Sequence, residues 1–180
     1  YYKIFDKQGI SYKTTNGKLP LYIEGSLKAD TFEVEGNISS QFITGLLYTL
    51  PLLDGDSEIV IKGPLESKGY VDLTLKILEM AGIEVKNNDY KSFLIKGNQT
   101  YKGFDYTVEG DYSQVAFWIV AGILSEEINC KNVYKDSLQG DRAIVEIVQR
   151  MGANLEINDK NIKVFPGKTK GTVIDVSQCP

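Results

Sequence analysis

The fold of this chain is predicted from the stretch Phe32-Glu-Val-Glu-Gly-Asn-Ile-Ser-Ser-Gln-Phe42. Its first residues alternate between apolar and acidic as far as Gly36, a pattern typical of a half-buried strand. From Ser40 onward, apolar residues recur at helical spacing, which predicts a helix. A strand that leads directly into an apolar helix predicts a unit in which helices and strands alternate.

The signals of this stretch return later in the chain. Tyr106-Thr-Val-Glu-Gly110 precedes a second apolar helix, 74 residues after the first Val-Glu-Gly. A turn with methionine and glycine follows the second helix of each copy, at Met80 and at Met151, which is an offset of 71 residues. A near-constant offset between matched signals indicates an internal repeat of two copies.

Each copy is predicted to fold as a βαβαββ unit, which gives an α/β (α+β) fold class. Copy one has predicted strands at 32–36, 58–62, 84–87 and 92–96, and helices at 40–53 and 68–81. Copy two has predicted strands at 106–110, 127–133, 154–157 and 161–165, and helices at 112–124 and 141–151. A helix end at 3–9 closed by Gly9, with strands at 11–14 and 21–24, resembles the end of a preceding unit. The predicted units are therefore 1–24, 25–103 and 104–180.

The first helix of each copy is apolar on nearly all sides. The apolar residues are Phe42, Ile43, Leu46, Leu47 and Leu50 in copy one, and Val115 to Val120 in copy two. A helix of this kind is expected to be buried. The repeat therefore predicts buried helices with outer sheets around them.

Composition excludes several classes of protein. The net charge is −4 and only two arginines are present, which argues against a nucleic-acid binder. No apolar run approaches the roughly 18 residues of a membrane span. The absence of histidine excludes histidine-based triads and most metal sites from this segment. Cys130 and Cys179 form no Cys-x-x-Cys pair, and two thiols favour a reducing cytoplasm.

Ser39, Ser40 and Gln41 lie where the first strand ends and the helix begins. A helix N-terminus carries unpaired N–H groups and a partial positive charge, and neutral polar side chains there add donors. The pattern predicts a site for a small phosphorylated or carboxylated ligand, with a plain serine N-cap as the alternative. The matching place in copy two, Asp111-Tyr-Ser-Gln114, favours a capping box and would repel an anion.

Ser67 and Tyr70 begin the second helix of copy one. One interpretation is a serine N-cap followed by a half-buried tyrosine. The other is a second pair of hydroxyls that faces the same anion. The equivalent place in copy two, Leu138-Gln-Gly-Asp141, favours Asp141 as an ordinary N-cap.

Several of these motifs resemble the EPSP synthase family, the 3-phosphoshikimate 1-carboxyvinyltransferases. The matching stretches are Gly36 to Phe42, Leu65 to Leu75, Val108 to Asp111, Leu138 to Asp141 and Asp175 to Pro180. The resemblance implies a two-lobed enzyme with three βαβαββ units in each lobe and a hinge near residues 109–110. It also implies that the chain is an internal fragment, which spans the end of one unit, the unit that closes the first lobe, and the first unit of the second lobe.

The family transfers the enolpyruvyl group of phosphoenolpyruvate to the 5-hydroxyl of shikimate 3-phosphate, in aromatic amino acid biosynthesis. The resemblance implies no metal or organic cofactor, no nucleic-acid or membrane partner, and a monomeric parent enzyme. It implies that shikimate 3-phosphate contacts Ser39, Ser40, Gln41, Ser67 and Tyr70, and that phosphoenolpyruvate contacts Gln41. The family often has proline before this tyrosine, where the chain has Gly69, and glycine favours a looser helix start.

The resemblance implies that the catalytic residues lie outside this segment. The catalytic aspartate of the family would come immediately after Pro180, and the cations that bind phosphoenolpyruvate would lie before Tyr1 or beyond Pro180. Because the transition state is strongly anionic, the segment alone is expected to be inactive. The alternatives are the sister UDP-N-acetylglucosamine enolpyruvyl transferase, against which Ser-Ser-Gln-Phe argues, and a non-catalytic ligand-binding module. RNA 3′-phosphate cyclase resembles this fold but uses a histidine, which the segment lacks.

Overall fold

The computed structural model describes residues 1–175 and divides them into two compact units. Unit 1 comprises residues 1–65 and 74–104, and unit 2 comprises residues 66–73 and the chain from residue 105 onward. The predicted unit boundaries and the hinge near 109–110 stay predictions. Residues 176–180, which complete the motif that begins at Asp175, lie outside the described part of the chain.

The elements confirm the α/β (α+β) fold class. The helices are α1 (Tyr2–Gln8), α2 (Ser40–Thr49), α3 (Lys68–Met80), α4 (Tyr112–Leu124) and α5 (Ala143–Arg150). The strands are β1 (Ser11–Thr15), β2 (Lys18–Glu24), β3 (Thr31–Glu35), β4 (Ser57–Lys62), β5 (Val85–Asn88), β6 (Ser92–Ile95), β7 (Ile128–Lys131), β8 (Asn154–Asn158) and β9 (Asn161–Phe165). Short 3₁₀ turns, Leu50–Leu52 and Gly140–Arg142, follow α2 and precede α5. The longest described helices have 13 residues, well short of the roughly 20 that crossing a membrane requires.

The first residues of unit 1 form α1 and the antiparallel hairpin of β1 and β2, as predicted. Gly9 ends α1 in the left-handed conformation, with φ at 66°, as a C′ glycine does. Asn16 and Gly17 form the turn between the strands, and both have positive φ values, 53° and 74°. Asn-Gly favours such a turn because both residues tolerate positive φ.

The main sheet of unit 1 has the strand order β3-β4-β6-β5. β3 and β4 are parallel, with Val34 opposite Ile61, and the other pairs are antiparallel. Gly36 continues the parallel ladder, since its N–H donates to the carbonyl of Lys62 at 2.9 Å. A Cβ at Gly36 would stand 2.6 Å from the carbonyl oxygen of Pro64. Only glycine therefore fits where the chain leaves β3 for α2.

Helix α2 is buried as predicted, although it is shorter than the predicted helix. The buried residues, each at most 3% exposed, are Ile43, Leu46, Leu47 and Leu50. Pro51 has no N–H to continue α-helical hydrogen bonding, and the chain proceeds as a 3₁₀ turn. The Oγ1 atoms of Thr44 and Thr74 lie 3.0 Å apart and join α2 to the part of α3 that belongs to unit 1.

The sheet of unit 2 has the order β7-β9-β8 and lacks the strand predicted at 106–110, so that prediction is wrong. The segment is held by separate bonds: the N–H of Gly110 donates to the carbonyl of Asn132 at 2.7 Å, and the Asn132 side chain donates to the carbonyl of Val108 at 2.9 Å. Asn132 has φ at 59°, which turns the backbone after β7 away from the extended conformation of a ladder.

Helix α4 is buried on one side only, so the prediction that this apolar helix is buried is wrong for its outer side. Ile119 and Ile123 belong to the core of unit 2. Gly122 lies so close to β9 that a Cβ there would stand 2.9 Å from the side chain of Val164. On the outer side, the residues that are 42–76% exposed are Phe117, Trp118, Val120 and Leu124. The described part of unit 2 supplies a sheet for one side of the helix and leaves the other in contact with solvent.

Candidate functional site

The start of α2 carries the predicted anion-binding residues of unit 1. Ser39 has an extended backbone, with φ at −167°, and its Oγ accepts a hydrogen bond from the N–H of Gln41 at 3.2 Å. Ser39 is therefore the N-cap of α2. Because the cap uses a lone pair of Oγ, the hydroxyl proton remains a donor for a further acceptor. Capping and anion binding are thus compatible at this residue.

Ser40 and Gln41 complete the polar start of α2. Ser39 and Ser40 are half-buried, whereas Gln41 is exposed. The first turn of α2 contains no acidic residue, so no carboxylate in that turn offsets the partial positive charge of the helix N-terminus. The three residues together offer two hydroxyls and one amide at a helix start, which suits a small anion.

The equivalent helix start in unit 2 is occupied by a carboxylate. Asp111 is the N-cap of α4, as predicted, and its Oδ1 accepts from the N–H and the hydroxyl of Ser113 at 3.0 and 2.8 Å. The predicted capping-box pairing with Gln114 is wrong, because Ser113 lies closer along the chain and supplies both donors. The negative charge of Asp111 makes this helix start unfavourable for an anion.

Gln139 is a structural residue that the sequence patterns do not single out. Its side chain is buried; Oε1 accepts from the N–H of Tyr112 at 2.8 Å, and Nε2 donates to the carbonyl of Gly110 at 2.9 Å. These bonds join residues 138–141 to the start of α4. Their partners lie 27 and 29 residues away, so the one available signal is the place of Gln139 in the motif from Leu138 to Asp141.

Ser67 lies directly before α3 with its backbone in the left-handed region, at φ 54°. Residues other than glycine seldom adopt this conformation, and N-cap residues usually have an extended backbone. Ser67 therefore departs from ordinary cap geometry. Its carbonyl accepts the N–H of Tyr70 at 3.2 Å, which closes the first turn of the helix.

Tyr70 and Asp141 are hydrogen-bonded within unit 2. The phenolic hydroxyl of Tyr70 donates to Oδ2 of Asp141. Asp141 lies inside the 3₁₀ turn Gly140–Arg142, so the prediction that it is an N-cap is wrong. Burial, and after it the Asp141 carboxylate, raise the pKa of Tyr70 above the ordinary value of a tyrosine.

The predicted ligand contacts thus fall into two groups. Ser39, Ser40 and Gln41 are adjacent at the start of α2 in unit 1. Ser67 precedes α3 and Tyr70 lies in its first turn, both within residues 66–73, which belong to unit 2. The assignment of a ligand to each group stays a prediction.

Comparison with known proteins finds relatives over the whole chain. The family model described as EPSP synthase (3-phosphoshikimate 1-carboxyvinyltransferase) matches residues 5–180. Proteins named 3-phosphoshikimate 1-carboxyvinyltransferase from Clostridium novyi (strain NT) and Clostridium kluyveri are 55% and 56% identical over 180 residues. These matches cover 100% of this chain, which spans 41% and 42% of the length of those relatives.

Two solved structures share the fold. EPSP synthase from Acinetobacter baumannii matches with a TM-score of 0.70 at 22% identity, over 98% of this chain and 41% of that chain. The enolpyruvyl transferase NikO from Streptomyces tendae matches with a TM-score of 0.64 at 16% identity, over 92% of this chain and 41% of that chain. At these identities the likeness shows the fold alone.

Proposed function

Because the chain belongs to the EPSP synthase family, we propose that it forms a shikimate 3-phosphate-binding part of a 3-phosphoshikimate 1-carboxyvinyltransferase. The observation that carries the proposal is the start of α2. There the Ser39 hydroxyl caps the helix through its oxygen and keeps its proton, Ser40 adds a second hydroxyl, and the first turn is free of acidic residues. This arrangement favours a phosphate monoester.

In the proposed reaction, the 5-hydroxyl of shikimate 3-phosphate is joined to the enolpyruvyl carbon of phosphoenolpyruvate. The bond from that carbon to the phosphate oxygen breaks, and phosphate leaves with the hydroxyl proton. The residues of this chain bind and orient: Ser39 and Ser40 donate to the phosphate of the acceptor, and the Gln41 amide contacts the acceptor and the enolpyruvyl donor. Holding the reactants in a fixed geometry lowers the entropic part of the barrier.

Ser67 and Tyr70 are included in the proposal on the resemblance and on their local geometry. The backbone of Ser67 is held in a conformation that costs free energy for a serine, and such conformations cluster at functional sites. Tyr70 lies three residues after Ser67, is half-buried, and donates a hydrogen bond from its hydroxyl to Asp141. The proposed role of both side chains is contact with shikimate 3-phosphate.

A cytoplasmic location is part of the proposal. Cys130 is a free thiol in β7, and burial raises its pKa, which lowers its reactivity as a thiolate. A buried, unpaired thiol is compatible with a reducing compartment. Cys179 lies outside the described residues.

Isothermal titration of the chain with two acceptors tests the proposal. We expect heat of binding with shikimate 3-phosphate and none with UDP-N-acetylglucosamine at the same concentration, because the α2 start offers donors for a compact phosphate. Inorganic phosphate is the control for unspecific anion binding and should bind more weakly. A preference for UDP-N-acetylglucosamine would assign the chain to the sister transferase activity. Absence of binding heat with both ligands would overturn the proposal for this chain.

A further inference from the structure

We propose that Asp141 is a positioning residue for Tyr70, which fixes the phenol as a hydrogen-bond acceptor towards a hydroxyl of the substrate. The proposal rests on the proposed function, since Tyr70 is assigned to shikimate 3-phosphate only there. What it adds is a second residue, Asp141, and a direction for the hydrogen bond that Tyr70 can make to a ligand.

The direction follows from the chemistry of the two groups. A phenol carries one proton, and an ionised carboxylate has none to give. In unit 2 the Tyr70 hydroxyl donates this proton to Oδ2 of Asp141. Hydrogen bonds to a charged acceptor are stronger than bonds between neutral groups, so Asp141 competes well for the proton. Because its one proton is used in this bond, the phenol can meet a ligand only as a hydrogen-bond acceptor.

The environment of Tyr70 keeps the proton in place. Burial, followed by the hydrogen bond and charge of Asp141 and the charge of Asp111, raises the pKa of the phenol. The Asp111 carboxylate accepts hydrogen bonds from Ser113 at the start of α4. The phenol is therefore neutral at physiological pH and donates to one fixed acceptor.

Gly69 makes the contact possible. A Cβ at Gly69 would stand 2.5 Å from the carbonyl oxygen of Leu138 and 3.1 Å from the backbone nitrogen of Gly140. Both contacts are to backbone, which cannot move aside as the end of a flexible side chain can. The first turn of α3 thus lies directly against residues 138–140, and the glycine lets Tyr70 reach Asp141.

The Tyr70–Asp141 bond restricts which groups of a ligand the phenol of Tyr70 can contact. A phosphate or carboxylate oxygen accepts hydrogen bonds. The phenol of Tyr70 cannot donate to such an oxygen, because its one proton is already used in the hydrogen bond to Asp141. A hydroxyl group of the ligand can donate to that oxygen. Tyr70 would therefore recognise a hydroxyl of the shikimate ring rather than its phosphate.

A tyrosine titration tests the Asp141–Tyr70 bond without any ligand. The difference in ultraviolet absorbance between the chain and its Tyr70→Phe variant isolates the ionisation of Tyr70. We expect Asp141→Asn to lower the pKa of Tyr70, because the variant removes a negative charge that disfavours the ionised phenol. Gly69→Ala should lower it as well, by moving the phenol away from an intact carboxylate. Asp136→Asn, which removes an exposed carboxylate from the same segment, should leave it unchanged. An identical Tyr70 titration in Asp141→Asn overturns the inference.

A binding cycle tests the positioning role. Shikimate 3-phosphate is titrated into the wild-type chain, Tyr70→Phe, Asp141→Asn and the double variant. We expect each single variant to bind about threefold to tenfold more weakly, and the double variant to bind no more weakly than Tyr70→Phe, because Asp141 acts through Tyr70. If Asp141→Asn lowers the unfolding midpoint but leaves the binding of shikimate 3-phosphate unchanged, the Tyr70–Asp141 bond is purely structural and the proposal is overturned. Absence of binding by the wild-type chain overturns the proposed function, whereas the titration result concerns Asp141 alone.

Discussion

Replacement of Ser39 and Ser40 by alanine is expected to weaken the binding of shikimate 3-phosphate about 100-fold. Each hydroxyl would donate to a charged phosphate oxygen, and hydrogen bonds to charged groups contribute about 1.5–3 kcal/mol each. Loss of two such bonds at the lower end of this range amounts to about 3 kcal/mol, or roughly two powers of ten in the dissociation constant. Isothermal titration of the double variant and the wild-type chain measures the difference.

A matched control separates ligand binding from capping. Ser39→Ala also removes the bond from the N–H of Gln41 to Ser39 Oγ, which costs about 1 kcal/mol of stability. Ser39→Asp keeps an N-cap acceptor, as Asp111 does at α4, but places a negative charge beside the phosphate. We expect this variant to unfold at the wild-type midpoint and to lose binding at least as severely. If the double alanine variant and Ser39→Asp both bind shikimate 3-phosphate as the wild-type chain does, the start of α2 is not part of the binding site.

Phe93→Ala is expected to destabilise unit 1 by about 3–5 kcal/mol, the usual cost of removing a buried phenylalanine. Phe93 is fully buried on β6, the strand between β4 and β5, and its ring packs edge-on against Tyr90 with centroids 6.4 Å apart. Removal of the ring leaves a cavity that strands on both sides restrain from closing. Urea unfolding followed by circular dichroism measures the change.

An exposed phenylalanine provides the control for this experiment. Phe117 on α4 is 73% exposed, so Phe117→Ala removes the same atoms without opening a cavity. We expect this variant to stay within about 0.5 kcal/mol of the wild-type chain. Equal destabilisation by the two variants would contradict the position of Phe93 in the core of the unit.

Local signals account for most of what the sequence predicts correctly. Gly9 ends α1 because positive φ is inexpensive for glycine, and Ser39 caps α2 because its short side chain reaches the N–H of Gln41. Apolar spacing also locates the helices, because the periodicity of apolar residues is contained in the segment that forms each helix. The motif Gly36-Asn-Ile-Ser-Ser-Gln-Phe42 locates the candidate site because strand, turn and helix start are contiguous in it.

Two of the wrong predictions concern residues whose structure depends on distant partners. Asp141 has the residue type of an N-cap, but its carboxylate is taken by the hydroxyl of Tyr70, 71 residues away in sequence. Val108 lies in the same Val-Glu-Gly pattern as Val34, yet it forms no strand, because Asn132 turns the backbone that would have to pair with it. Local patterns carry no information about such partners. The outer side of α4 is a further case, since periodicity does not reveal which sides of an apolar helix are covered.

The exposed outer side of α4 determines which spectroscopic signal can report on this chain. Trp118 is the single tryptophan of the sequence, and it is 60% exposed on that side. Its indole is already largely hydrated in the folded state, so its fluorescence emission should change little when either core unfolds. Unfolding would therefore be followed by circular dichroism, which reports on the backbone, because the amplitude of the tryptophan signal is small. The same emission would instead shift to shorter wavelength when anything apolar covers α4, which makes Trp118 an intrinsic probe of association at that surface.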